Sequence, residues 1–204
     1  MRVFVLTTGR AASKTFAQAC QYIDGMTSAH ESNCGQVLSR LDYPDNHIEI
    51  DNRLVWFLGG MDKRYQDSDT FYVYLTRDNE KVVESYLSRW HFSVSIVRAF
   101  YHGFLMIPKK PDIGTARESC RLFVQTVDEN TRYFLQHRSN WSQVRVENLE
   151  QDFFQFMDKA GLSGDKQALS KAINSVHNLN KKKYFNQGWF RSLRNHFSSR
   201  RLSR

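Results

Sequence analysis

The chain has 204 residues, 41% hydrophobic and 25% charged, the make-up of one medium domain with a substantial core rather than a disordered or low-complexity chain. Its formal net charge of +8 favours anionic partners: nucleotide phosphates, sulfated or phosphorylated substrates, nucleic acid or an acidic membrane surface. Much of that excess is local, in Lys181, Lys182 and Lys183 and in residues 191–204, so a cationic tail accounts for it without a basic cleft. Cys20, Cys34 and Cys120 are widely spaced, which argues against a disulfide framework or a zinc site and fits a reducing compartment. With a first apolar run of only four residues and no membrane-length span, the expected location is cytoplasmic.

Residues 3–6 form an apolar β-rich run, the pattern of a buried parallel strand, and residues 7–12 a turn of small residues. From Ser13 the apolar spacing becomes helical, through Phe16, Ala19, Cys20 and Ile23. A second short strand is expected before His30 and Glu31, a short helix over 32–41 and a strand fragment over 47–50. Residues 53–61 are apolar and end in Gly59 and Gly60, helix or strand. Residues 71–76 are the clearest strand, followed by a helix over 80–92 with Val83, Leu87 and Trp90 on one face. An aromatic-rich segment follows, broken at Pro108 and Pro111. The spacing then predicts a helix over 115–137 with Cys120, Phe123, Val127 and Phe134 in one stripe. It predicts a strand over 142–146, a helix over 149–160 ended by Gly161, and a last helix over 165–176. Strands alternating with helices imply a three-layer α/β/α fold around a mainly parallel sheet, with ligands at the carboxyl ends of the strands. A single domain is expected over 1–180, with a basic tail over 181–204.

Two turns carry candidate chemistry. Strand, tight turn and helix start present backbone N–H groups to a phosphate, and Arg10, Ser13, Lys14 and Thr15 add donors at that spot. The stretch is one residue short of the nucleoside-triphosphatase P-loop and lacks its second glycine; a Lys-Thr pair at a helix start also occurs without a ligand. The second turn follows the strand over 71–76. Arg77 stands at the strand end and Ser85 eight residues on, spaced to converge on one phosphate through a planar fork and a hydroxyl.

Together the two turns resemble the sulfotransferase family that uses 3′-phosphoadenosine 5′-phosphosulfate (PAPS). Arg10, Ala11, Ala12, Ser13 and Lys14 fall on that family's first motif, and Arg77, Val82, Val83, Ser85 and Tyr86 on its second. A third segment, Val144, Arg145, Val146, Glu147, Asn148 and Leu149, resembles the family's late strand-to-helix passage. The resemblance covers roughly residues 1–30, 70–90 and 142–162. It implies a P-loop-like fold, the 5′-phosphosulfate held by residues 10–15 (Arg10, Ala11, Ala12, Ser13, Lys14, Thr15), the 3′-phosphate held by Arg77 and Ser85, and no metal. This sequence departs from the family at Ala12, where glycine is usual, at Lys14, where threonine is usual, and at Asn79, where proline is usual.

Sulfuryl transfer to a hydroxyl or amine also needs a base. Glu31 is the first candidate and His30 the second, by the pair's position after the second strand and its likeness to relatives; a solvated loop pair or a helix cap is the other reading. His91 and His102 are weaker candidates. Trp90, Phe92, Phe100, Tyr101 and Phe104 read as an acceptor wall or as core. Residues 177–183 read as a basic loop over the donor or as a solvated tail, and residues 191–204 as a contact for an acidic acceptor or a membrane surface. The expected partners are thus PAPS and an acceptor of unread identity, not nucleic acid. The rival readings are a nucleotide-dependent kinase with a modified P-loop and a non-enzymatic protein that binds anions.

Overall fold

The computed structural model describes residues 1–65 and 69–176. The expected tail over 181–204 and the segment over 177–183 lie outside these residues. Five parallel strands make one sheet in the order β2-β3-β1-β4-β5: β1 Arg2–Thr7, β2 Thr27–His30, β3 His47–Ile50, β4 Thr70–Thr76 and β5 Trp141–Arg145. The helices are α1 Ser13–Cys20, α2 Leu58–Arg64, α3 Asn79–Leu87, α4 Ile96–Ala99, α5 Ile113–Leu135, α6 Leu149–Ala160 and α7 Lys166–Val176. The expected three-layer α/β/α architecture is present.

Alternation along the strands divides the core between the two faces. Val3 and Val5 of β1, with Phe71, Val73 and Leu75 of β4, join the cluster under α1, α6 and α7. Phe4 and Leu6, with Tyr72 and Tyr74, join the cluster under α2, α3 and α5. Phe16 of α1 meets Phe153 and Phe156 of α6 at ring-centroid distances of 4.9 and 5.9 Å. Connections that step towards β2 pass over one face and those that step towards β5 pass over the other, as right-handed crossovers require. β1 lies where the two directions part, so the crevice beyond its carboxyl end is the place such sheets offer a ligand.

The third strand breaks the apolar rule on one side. Ile48 and Ile50 face the α1 side, whereas His47, Glu49 and Asp51 are buried on the other. The loop between β2 and β3 covers them. Ser32 donates to Glu49 from its backbone N–H (2.9 Å) and its hydroxyl (2.5 Å), Arg40 Nη2 donates to Asp51 Oδ2 (2.5 Å), and the Tyr43 ring stacks on His47. The helix expected over 32–41 is therefore absent. Ser32 is captured by Glu49, Gly35 takes a left-handed φ of 89°, and the Asn33 amide donates to the carbonyls of Ser39 and Asp42. These bonds replace a helical ladder.

Other boundaries moved less. Residues 54–56 form a 3₁₀ turn, and after Phe57 α2 runs through both glycines. The helix expected over 80–92 ends at Leu87 and buries Val82, Val83 and Tyr86. Helix α6 keeps its expected bounds, with Gly161 left-handed at its end (φ 68°).

At the carboxyl end of β5, Arg145 clips the chain to α6. Its Nε and Nη2 donate to Asp152 at 2.8 and 2.9 Å, and its backbone N–H donates at 2.9 Å. Asp152 is 2% exposed, and the Arg145 guanidinium holds its carboxyl below the ordinary carboxylate range. A carboxyl whose folded pKa is depressed stabilises the fold above its unfolded value of about 4 and loses that contribution as pH falls through the folded value. Asp152→Asn is therefore expected to cost roughly 1–3 kcal/mol at neutral pH, the cost of leaving buried partners unsatisfied. In urea unfolding at stepped pH, the gap from wild type should hold down to about pH 4 and narrow below it.

Candidate active site

Beyond β1 the loop holds three residues at positive φ: Gly9 (78°), Arg10 (60°) and Ala12 (54°). Thr7 and Thr8 fold it locally. The Gly9 N–H donates to Thr7 Oγ1 (3.2 Å), and the Thr8 hydroxyl donates to the Gly9 carbonyl (3.0 Å). From α3, the Tyr86 hydroxyl donates to the Thr8 carbonyl at 2.6 Å. Burial pushes that hydroxyl above its ordinary pKa, so it remains a neutral donor across the working pH range. A Cβ on Gly9 would lie 2.4 Å from Tyr86 Oη and 2.9 Å from Asn52 Nδ2, so the contact as well as the φ requires glycine.

Ala12 caps α1 in the left-handed conformation, and no side chain caps the helix. The N–H groups of its first turn thus face outwards from the loop, the arrangement that binds anions at helix N-termini. Ala11 and Thr15 bury their side chains, so their backbones are what they offer here; Lys14 is exposed and takes part in no hydrogen bond or ion pair among the described residues.

The two motifs read from the sequence are in direct contact. Arg10 Nε donates to Ser85 Oγ at 2.9 Å, and Arg77 Nη1 donates to the Arg10 carbonyl at 3.1 Å. Arg77 ends up there because β1 and β4 are neighbours in register, with Thr7 opposite Leu75. Asp78 then caps α3 by accepting from Lys81 N–H (2.9 Å), and its own N–H donates to Glu147 Oε1 (3.1 Å). Arg10, Ser85 and Arg77 thus form one hydrogen-bonded group, which Asp78 connects to the third segment at the end of β5.

On the other side of the loop, His30 Nε2 and Ser13 Oγ lie 2.9 Å apart. Glu31 has a left-handed φ of 58°, and its Oε1 pairs with Arg53 Nη1 at 3.1 Å. Both partners are substantially exposed, so the pair adds at most about 1 kcal/mol and matters mainly for where it points the carboxylate. His91 is exposed and packs on Phe92, and His102 Nδ1 lies 2.8 Å from the Ile107 carbonyl within its own turn. The five aromatics divide. Phe100 and Tyr101 are buried core, Trp90 and Phe92 are half-buried, and Phe104 is exposed while packing on Trp56 at 4.9 Å.

Asp51, Asn52 and Arg53 were not singled out from the sequence, yet they complete this edge. Asn52 bonds to the Tyr86 hydroxyl, Asp51 accepts from the Arg53 N–H (2.8 Å), and Arg53 holds Glu31. The signal was present: a polar triplet directly after a strand, the same cue that marked Arg77.

No family model and no curated protein matches the sequence. Solved structures do match the fold. A sulfotransferase domain from the curacin biosynthetic pathway superposes with a TM-score of 0.59 at 12% identity, covering 83% of this chain and 76% of that one. The mouse sulfotransferase SULT7A1, solved in complex with PAP, gives 0.55 at 11% identity, covering 86% of this chain and 62% of that one. The chain therefore has the sulfotransferase fold, and it spans less than two thirds of the mouse protein.

A left-handed alanine costs roughly 1–2 kcal/mol relative to a relaxed residue. Ala12→Gly relieves that strain at some cost in chain entropy and should raise stability by up to about 1 kcal/mol. Gly9→Ala should lower it by more than that. Thermal unfolding of the two variants tests the loop conformation directly.

Proposed function

We propose that the chain is a sulfotransferase that moves a sulfuryl group from PAPS to a hydroxyl or amine of an acceptor. The observation that carries this reading is the Arg77–Arg10–Ser85 group, which joins the two turns expected to bind anions, at the ends of adjacent strands on a sulfotransferase fold. An uncapped helix start beside two arginines and a free-standing lysine suits a donor with phosphate at both ends.

In this reading Arg77 and Ser85 hold the 3′-phosphate. Arg10, Lys14 and the N–H groups of Ala11, Ala12, Ser13 and Thr15 hold the 5′-phosphosulfate. As the acceptor oxygen or nitrogen bonds to sulfur, the sulfur–oxygen bond to the 5′-phosphate breaks and negative charge grows on the phosphate. Cations and fixed amides aimed at that charge lower the barrier, as in phosphoryl transfer. The acceptor's proton passes to a base. The ion pair with Arg53 engages Glu31, whereas His30 already stands within hydrogen-bonding distance of Ser13 at the start of α1, which favours His30 over Glu31.

Calorimetry separates this reading from an ATP-dependent one. 3′-Phosphoadenosine 5′-phosphate should bind far more tightly than adenosine 5′-phosphate or ATP. Arg77→Ala or Ser85→Ala should each weaken it, roughly tenfold to a hundredfold for the charged contact. Equal affinity for all three nucleotides would sink the proposal. Radiolabelled sulfate transfer to an acceptor panel then tests the base. His30→Ala should lose on the order of 10²–10⁴ in kcat with nucleotide affinity retained. Full activity in that variant, with loss in Glu31→Gln, returns the role to Glu31.

A further inference from the structure

Arg121 pairs with Glu80, and Arg117, one turn earlier in α5, pairs with Glu84, one turn later in α3. The two helices therefore run antiparallel. α5 descends to the start of β5, so α3 rises away from the carboxyl end of β4 and carries residues 88–112 above the carboxyl edge of the sheet.

That overhanging segment has an unusual composition. Residues 85–111 contain no Asp or Glu, but they contain Arg89, Arg98, Lys109 and Lys110; the segment then ends at Asp112, an exposed acid that caps α5. Val97, Phe100 and Tyr101 anchor it in the core, so its fold is set by packing. Trp90, Ile96 and Leu105 pack part-buried against that core, but other large apolar side chains point outwards: Val94 is 94% exposed, Phe104 67% and Met106 77%, with Ile113 at 71% just beyond. Met106 also holds a left-handed φ of 54°, a conformation that costs roughly 1–2 kcal/mol and here presents a thioether to solvent. The apolar surface continues through Trp56, against Phe104, to Phe57, which lies under Arg40.

We propose that this rim docks on an anionic lipid bilayer, with the carboxyl edge of the sheet turned towards the lipid surface. Exposed aliphatic and aromatic side chains among lysines, with Asp112 as the one acid beside Lys110 and Ile113, are the composition of interfacial membrane contacts. Outward-pointing Val94, Met106 and Ile113 suit hydrocarbon better than the flat faces of nucleic-acid bases, which call for aromatic stacking. A second copy of the chain would set four cations against four like charges. Among the described residues no helix is long and apolar enough to cross a membrane, so the contact is peripheral. The docking does not depend on the sulfotransferase reading.

The test is co-sedimentation of the full chain with vesicles of phosphatidylcholine, with and without roughly one third phosphatidylserine, at about 0.1 M salt. Wild type should bind the anionic vesicles and bind the neutral ones weakly. Val94→Asp with Met106→Asp should weaken binding more than tenfold, because both side chains lose their transfer into the bilayer. Lys109→Gln with Lys110→Gln should weaken it roughly thirtyfold, about fivefold per cation removed. Both pairs are exposed and should keep wild-type thermal stability. All arms retain residues 191–204, so binding that survives both pairs unchanged belongs to the basic tail and overturns the proposal. Failure of wild type to sediment overturns it as well, as does a wild-type oligomer that binds no vesicle and that Val94→Asp with Met106→Asp splits. Vesicle binding without nucleotide binding would instead count against the proposed function alone.

Discussion

The tie between the β1 loop and α3 is the constraint on which the site depends. Three contacts make it: Tyr86 to the Thr8 carbonyl, Arg77 to the Arg10 carbonyl, and Arg10 to Ser85. Each satisfies a polar group on a loop whose backbone is held at positive φ at Gly9, Arg10 and Ala12. Left-handed residues outside glycine persist only where their surroundings over-determine them. Here the over-determination comes from α3 and the turn before it, so the two motifs are one mechanical unit. A change in Tyr86 or Gly9 would disturb the outward-facing amides of α1 without touching a ligand. The parallel pairing of β1 and β4 comes first, because it sets Thr7 beside Leu75 and brings the two turns within reach.

A second framework stands behind His30 and Glu31. Burying Glu49 on β3 and Asp51 just beyond it is costly unless each is matched; the loop between β2 and β3 supplies Ser32 for Glu49 and Arg40 for Asp51, and His47 lies 3.1 Å from Glu49. Removing Arg40 would take the short ion pair from Asp51, whose side chain is fully buried, leaving it the Arg53 N–H and the more distant Arg53 guanidinium, whereas replacing both Arg40 and Asp51 with apolar groups of similar volume need not destabilise the fold. The polar face therefore says little about stability and much about position. It fixes the path of the chain directly after Glu31, and through the Asp51 contact to the Arg53 N–H it fixes the residue that holds Glu31.

What the sequence made legible follows the range of the forces involved. Strands β1 and β4 and helices α1 and α6 announce themselves because their signals are local: apolar period, β-branched content, and a glycine at the end of α6. That Arg10, Arg77 and Ser85 come together was legible through order and spacing, since a strand end and a helical turn fix where their side chains emerge. The stretch over 32–41 was not, because its conformation is decided by Glu49, 17 residues away in the chain from Ser32. The end of α3 was misjudged for a similar reason. Trp90 has helical spacing, but it packs edge-on against Tyr101 in the segment beyond, so the chain turns before the apolar pattern ends. Arg53 was missed although its cue was local, because the strand before it is only four residues long and two of them are charged or titratable.

The rising course of α3 joins the tie to the rim. Ser85 and Tyr86 lie in its last turn, and the acid-free segment begins with Ser85. An excess of fixed positive charge above the crevice has a consequence for any anionic ligand, whatever its identity. Within about one Debye length, roughly 10 Å at 0.1 M salt, such charge raises local anion concentration and association rate. If the same cations also meet a bilayer, lipid phosphates and a soluble nucleotide draw on one field, and occupancy by one lowers its pull on the other. The exposed lysines at the rim and the arginines in the crevice are then parts of a single electrostatic surface, divided by burial: Arg10 and Arg77 are shielded and committed to hydrogen bonds, Lys109 and Lys110 are exposed and screened. Salt should therefore weaken what the rim does before it weakens what the crevice does.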